Sequence, residues 1–209
     1  MLKGFRSLLS VLVLVFFSQS ALSDQYFDNL RDDQMVPEHC QETRLSHFKS
    51  IPDTFLVSIK GAKSKGFDYE YPLSRHGASL LWRAIKEPHK HLNALKKASK
   101  REPGLMRDYK LMKEYGPLMD IDFGQEGDVL EVLALLKMRE FYDPEVYYFH
   151  GGAAYHEAHS GRYIGELDLI IGYKDTCEVV AIGEAKLGVK SKSHARRQLE
   201  RFLGFLRRH

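Results

Sequence analysis

Gly165-Glu166-Leu167-Asp168-Leu169-Ile170-Ile171 and, past a polar break at Lys174-Asp175-Thr176, Val179-Val180-Ala181-Ile182-Gly183-Glu184-Ala185-Lys186 decide how this chain folds. Both runs are aliphatic and β-branched, and they predict two antiparallel strands joined by a turn. Side chains alternate along a strand, so Glu166, Asp168 and Ile170 share one face of the first. Val180, Ile182, Glu184 and Lys186 share a face of the second. A hairpin centred near Thr176 sets Asp168 across from Glu184, and Glu166 across from Lys186. Opposed carboxylates destabilise a sheet unless positive charge lies between them. A divalent cation with Lys186 beside it supplies that charge, so the spacing asks for a metal. The bland alternatives are a cross-strand ion pair between Glu166 and Lys186 and a solvated strand end at Glu184 and Lys186.

Working outward, a helix is expected from Asp128 to about Tyr142. Val129, Leu130, Val132, Leu133, Leu135 and Leu136 cover nearly its full circumference, which predicts a buried helix. Glu131 lies inside that run, either as a functional carboxylate or as the partner of Asp128 in a capping box. Three strands follow, at about Val146–His150, Arg162–Tyr173 and Glu178–Leu187, and an amphipathic helix from about Ser193 to Arg207 closes the chain. Upstream, Thr54–Lys60 reads as a strand, and helical patterning covers Ser74–Lys86, resumes after Pro88 to Lys100, and recurs from Gly104 to Tyr115.

The N-terminus reads as a secretory signal, residues 1–23. Lys3 and Arg6 precede an apolar core at residues 8–17, and Ala21 and Ser23 are small residues before a cut at Asp24. That core is short for a span of roughly 20 residues, so an uncleaved anchor is the weaker reading. The expectation is a secreted or periplasmic product. The mature chain divides into a mostly helical extension at 24–120, packed on a core at 121–209. Two cysteines, Cys40 and Cys177, can form one disulfide in an oxidising compartment, with free thiols as the alternative. In the loop-entropy picture such a bridge contributes about 4 kcal/mol.

Charge is informative only in its distribution. The chain carries 31 basic and 28 acidic residues, and losing Lys3 and Arg6 with the signal leaves it near neutrality. From Lys186 to His209, eight Lys or Arg face the single acid Glu200, a basic end that can track phosphates or form a solvated helix face.

The order helix, three strands, helix, with Glu131 in the first helix, Asp168 on the second strand and Glu184-Ala185-Lys186 on the third, resembles the PD-(D/E)XK nuclease superfamily. The Gly165–Ile170 and Gly183–Lys186 runs look most like its RecB-like and Holliday-junction-resolvase-like branches. Gln198-Leu199-Glu200-Arg201-Phe202 is similar to the Gln-x-x-x-Tyr pattern of RecB-like members, with Phe202 in the Tyr place. The resemblance implies a mixed α/β, restriction-endonuclease-like core. It also implies a nuclease using Mg²⁺ or Mn²⁺, with nucleic acid, DNA rather than RNA, as its partner. Asp168, Glu184 and the Ala185 carbonyl would hold the metal, with Glu131 reaching it directly or through water. Lys186 would orient the attacking water and stabilise phosphate charge, and Gln198 would hold the site or contact substrate. The superfamily core continues into a fourth strand after the last helix. This chain stops at His209, and Thr54–Lys60 is the candidate replacement.

Two rivals remain. A non-catalytic exported binding protein could keep the same fold, which the weak mature charge favours. His150, His156 and His159, with Glu157, could instead form a zinc site, although His-Glu-Ala-His lacks the one-turn spacing that puts two ligands on one helix face.

Overall fold

The computed structural model describes residues 36–119, 121–157 and 160–209. The signal assigned to residues 1–23, with its cut after Ser23, lies outside the described residues, as does His159. No helix among the described residues is long and apolar enough to cross a membrane.

Among the described residues, seven strands and five α-helices make a mixed α/β structure: β1 (Asp53–Ser58), β2 (Tyr69–Glu70), α1 (Arg75–Lys86), α2 (Pro88–Ala98), α3 (Gly104–Tyr115), α4 (Asp128–Met138), β3 (Tyr147–His150), β4 (Ala153–His156), β5 (Tyr163–Leu167), β6 (Leu169–Tyr173), β7 (Val179–Lys186) and α5 (Lys192–Leu206). Five strands form one sheet in the order β2-β1-β7-β6-β3, and β4 with β5 forms a separate two-stranded sheet. β6 runs antiparallel to both its neighbours, β3 and β7, while β1 runs parallel to β7 over its whole length, from Asp53 opposite Ala181 to Ser58 opposite Lys186. The residues read as an N-terminal extension thus contribute two strands to the sheet. Parallel neighbours need no turn between them, so a strand distant in sequence can take that place.

Local chemistry explains the helix ends. Ser74 caps α1 by accepting the Gly77 N–H at 2.9 Å, and Glu102 accepts both the Ser74 N–H and its hydroxyl at 2.7 Å. Pro88 opens α2, where its missing N–H costs nothing. Eight of the eleven residues of α4 are buried, as its all-round apolar pattern predicts. The helix stops at Met138, earlier than the expected Tyr142. α5 buries Ala195, Leu199, Phe202 and Phe205 in one cluster with Leu56, Ile170 and Ile182 from the sheet. α4 packs against β6 and β7 as well. Alternation leaves it the other residue set, which includes Leu169, Ile171 and Ala181, all buried.

Gly183 sits opposite Phe55 in the β1–β7 pair, and a Cβ there would come within 2.4 Å of the Phe55 ring. Gly183→Ala is therefore expected to destabilise by about 1–3 kcal/mol through overpacking, read as a shift in urea midpoint with an unchanged m-value.

The bridge expected between Cys40 and Cys177 is present, closing a sequence separation of 137 residues. It joins the segment before β1 to the β6–β7 turn, and His39 reinforces the junction through its Nε2, 2.8 Å from the Lys174 carbonyl oxygen.

One expectation fails. The single strand expected over Arg162–Tyr173 is broken at Asp168 into β5 and β6, which belong to different sheets. The cause is the aspartate itself: its Oδ2 accepts the Ala185 N–H at 2.8 Å, so a side chain takes a backbone donor at the point where the strands part. Upstream of it β5 pairs with β4, and Glu166 lies opposite Ala154 instead of Lys186. The β6–β7 register agrees with a hairpin centred near Thr176, with Leu169 opposite Gly183 and Ile170 opposite Ile182.

Candidate functional site

β7, the central strand of the five, ends with Glu184, Ala185 and Lys186, beside the point where Asp168 interrupts the neighbouring strand. Glu184 is fully buried and Asp168 is 7% exposed. The Lys186 ammonium donates to Asp168 Oδ2 and to Glu184 Oε2, at 2.7 Å each. The two acceptor oxygens therefore lie no farther apart than twice that distance, with the ammonium bridging them. β1 fixes the lysine backbone, because the buried Ser58 hydroxyl donates to the Lys186 carbonyl oxygen.

These residues border a cleft of about 690 Å³. α4 brings Glu131 into it from its first turn, β3 brings His150, β5 brings Glu166 and Tyr163, and α5 brings His194 and Gln198. Asp168, Ala185 and Lys186 line it too, so every residue to which the nuclease resemblance gives a metal or catalytic role lines this cleft or, as Glu184, bonds directly to a residue that does. The capping alternative for Glu131 is not realised, since the N-cap of α4 is Gly127 and no side chain caps it. Between β3 and β4, Gly152 adopts φ +64°, and a Cβ there would sit 3.3 Å from Glu166 Oε1. Glycine is what lets the chain turn so close to that carboxylate.

Charge in the cleft is lopsided. Asp122, Asp128, Glu131, Glu166 and Asp168 line it against the one ammonium of Lys186. Burial, and then the nearby Asp168, push the Glu131 carboxyl up to about 8. Burial followed by Asp168 likewise raises Glu184 to about 8, with Lys186 opposing. For Lys186 burial works to lower the pKa, yet Asp168 and Glu184 outweigh it and hold the ammonium above its usual value. Burial alone lowers His150, which favours its neutral ring.

The donor set fits a hard divalent cation. It consists of carboxylate oxygens, which such ions prefer. Among the described residues, Glu184 Oε1 and Gln198 Oε1 are buried with no hydrogen-bond partner. Buried oxygens normally have one. A cation would satisfy the first and offset the acidic excess.

The linkage has a defined sign. Glu131 and Glu184 hold protons more tightly folded than unfolded, so their contribution is complete below about pH 4.5 and is lost as pH rises through about 8. The metal-free protein is expected to lose roughly 5 °C or more in Tm between pH 5 and 8.5. Mn²⁺ should flatten that slope, because it binds the ionised carboxylates; a slope indifferent to Mn²⁺ would count against a metal here.

The histidine rival is not assembled among the described residues. His150 lines the acidic cleft, whereas His156 lines a different, largely aromatic cavity and its Nδ1 lies 3.2 Å from the Gly161 carbonyl oxygen. A third group, His39 with Cys40 and Cys177, brings potential ligand atoms together, but both sulfurs are committed to the disulfide. The sequence reading passed over Tyr163, His194 and Ser58. His194 lies one turn before Gln198 on the same helix flank, a signal that could have been used. Ser58 has no such signal, because only the β1–β7 pairing brings it to Lys186.

Compared with protein-family models, curated proteins and solved structures, the chain matches none.

Proposed function

We propose that this protein is an exported, metal-dependent nuclease that hydrolyses phosphodiester bonds, of DNA rather than RNA. The observation that carries the reading is the convergence of Asp168, Glu184 and Lys186, with Glu131 across the same cleft, at the end of β7. Sheet topology supports it. β1, parallel to β7, is the candidate for the fourth strand that the resembled core takes from beyond its last helix. The disulfide accords with an oxidising compartment outside the cytoplasm.

Asp168 and Glu184 would hold Mg²⁺ or Mn²⁺, with the Ala185 carbonyl and Glu131 as further oxygen donors. When bound, the ion would supply Lewis acidity toward the phosphate and make water easier to deprotonate. The remaining work falls to the chain. Lys186, kept protonated by its two carboxylate partners, offers an ammonium to the charge that builds on the phosphate in the transition state. Glu131, with its carboxyl near 8, can hold or release a proton near neutral pH. Gln198 orients whatever lies beside its buried oxygen.

The acidic lining also explains why such a site needs a cation, since it repels phosphate by itself. Mature protein incubated with plasmid and single-stranded DNA or RNA is expected to cleave in Mg²⁺ or Mn²⁺ and not in EDTA. Inactivity in both metals, or cleavage undiminished by Asp168→Ala, would sink the proposal and leave the binding-protein reading.

A further inference from the structure

Tyr163 lines the cleft and is 56% exposed. His156 meets its ring edge-on at 5.8 Å, and with more than half of the residue exposed, ring surface stays open to solvent. Beside it runs a row of positive charge. α5 buries Ala195, Leu199, Phe202 and Phe205, and its flank toward the cleft carries His194 and Gln198. Helical spacing of three to four residues continues that flank through Arg197 and Arg201, both exposed. Arg201 is pinned next to Tyr163 in the sequence of β5, since its Nη1 donates to the Ile164 carbonyl oxygen at 3.3 Å.

An open aromatic face followed by guanidinium groups, leading away from an acidic centre, matches one kind of polymer. Single-stranded nucleic acid presents unpaired bases that stack on aromatic rings while its phosphates follow a basic groove. A duplex keeps its base faces stacked internally and has nothing to offer Tyr163. Resting on the nuclease reading of the cleft, we infer that the substrate is single-stranded: the scissile phosphate lies by Asp168 and Lys186, a neighbouring base stacks on Tyr163, and the strand leaves along Arg201 and Arg197. Tyr163 and Arg201 then set substrate choice and take no part in the bond-breaking step.

The test uses the mature protein, with Ca²⁺ in the binding arm and Mn²⁺ in the cleavage arm. Fluorescence anisotropy is measured on a labelled DNA strand of about 20 nucleotides, on its duplex and on the matching RNA strand, with cleavage followed on gels. The single strand is expected to bind at least about tenfold more tightly than the duplex. Tyr163→Ala should lower single-strand affinity about tenfold, with Tyr163→Phe close to wild type because stacking needs the ring and not the hydroxyl. Arg201→Ala should weaken binding less and reduce the salt dependence by roughly 0.7 in log–log slope, the value for one phosphate contact on a single strand. Tyr163 and Arg201 are both at the surface, so the variants keep the fold, which circular dichroism verifies. Equal binding of duplex and single strand, or wild-type behaviour of Tyr163→Ala, overturns the inference even if cleavage in Mn²⁺ stands. Conversely, single-strand binding that depends on Tyr163 without cleavage in any metal supports this surface and removes the nuclease reading alone.

Discussion

Lys186→Ala should slow phosphodiester cleavage by about a hundred- to a thousandfold, the range for loss of one preorganised donor to transition-state charge. The same change acts on stability. Its ammonium is bonded to Asp168 and to the fully buried Glu184, so removing it leaves two carboxylates facing each other. Breaking a buried ion pair from one side costs about 3–5 kcal/mol. Here the cost should shrink as pH falls below about 8, because Glu184 then takes up a proton. Mn²⁺ should restore much of the lost Tm by neutralising the pair, while cleavage stays low. Recovery of stability without recovery of rate would separate the role of Lys186 toward substrate from its role in holding the acids. If cleavage by Lys186→Ala equals wild type, the lysine is only a structural counter-ion.

Removing the disulfide should have the largest effect on stability alone. The bridge closes a separation of 137 residues, and the chain-entropy estimate for so long a loop is about 4–5 kcal/mol. For a chain of this size the double variant Cys40→Ala, Cys177→Ala is expected to melt about 8–16 °C lower, read by thermal circular dichroism. The bridge is attached at the β6–β7 turn, and the carboxylates lie at the other end of that hairpin. Cleavage per folded molecule at low temperature should therefore be retained. A Tm shift under about 3 °C would mean that the contacts around Cys40, including that of His39 with the Lys174 carbonyl, hold the segment without the covalent link.

Several features were legible in the residues themselves. The alternation of Leu167–Ile171 and Val179–Lys186 determined a hairpin and its register, because side-chain period fixes which residues oppose each other. The all-round apolar pattern of Val129–Leu136 determined a buried helix, and the amphipathic pattern near the C-terminus determined one that covers a sheet. Asp168, Glu184 and Lys186 could be brought together on paper because only one tight turn separates them. The pairing of Cys40 with Cys177 needed only a count of two and the expectation of export.

Other features are decided by contacts between residues distant in sequence. That β1 lies parallel to β7, with Ser58 on the Lys186 carbonyl, follows from burying Phe55, Leu56 and Val57 against a strand more than a hundred residues away. Ala153–His156 carries too little β-branched alternation to announce a strand, and only its pairing with β5 reveals one. The break at Asp168 is likewise tertiary: a carboxylate that can accept the Ala185 N–H and the Lys186 ammonium outcompetes the continued ladder. The sequence by itself thus determined the hairpin, its acids and its lysine, because local period and short loops leave few alternatives. Only the tertiary structure decided that Glu131, Gln198 and Tyr163 face the same cleft. Their meeting depends on how two helices and a diverging strand pack around the end of β7, which no local pattern encodes.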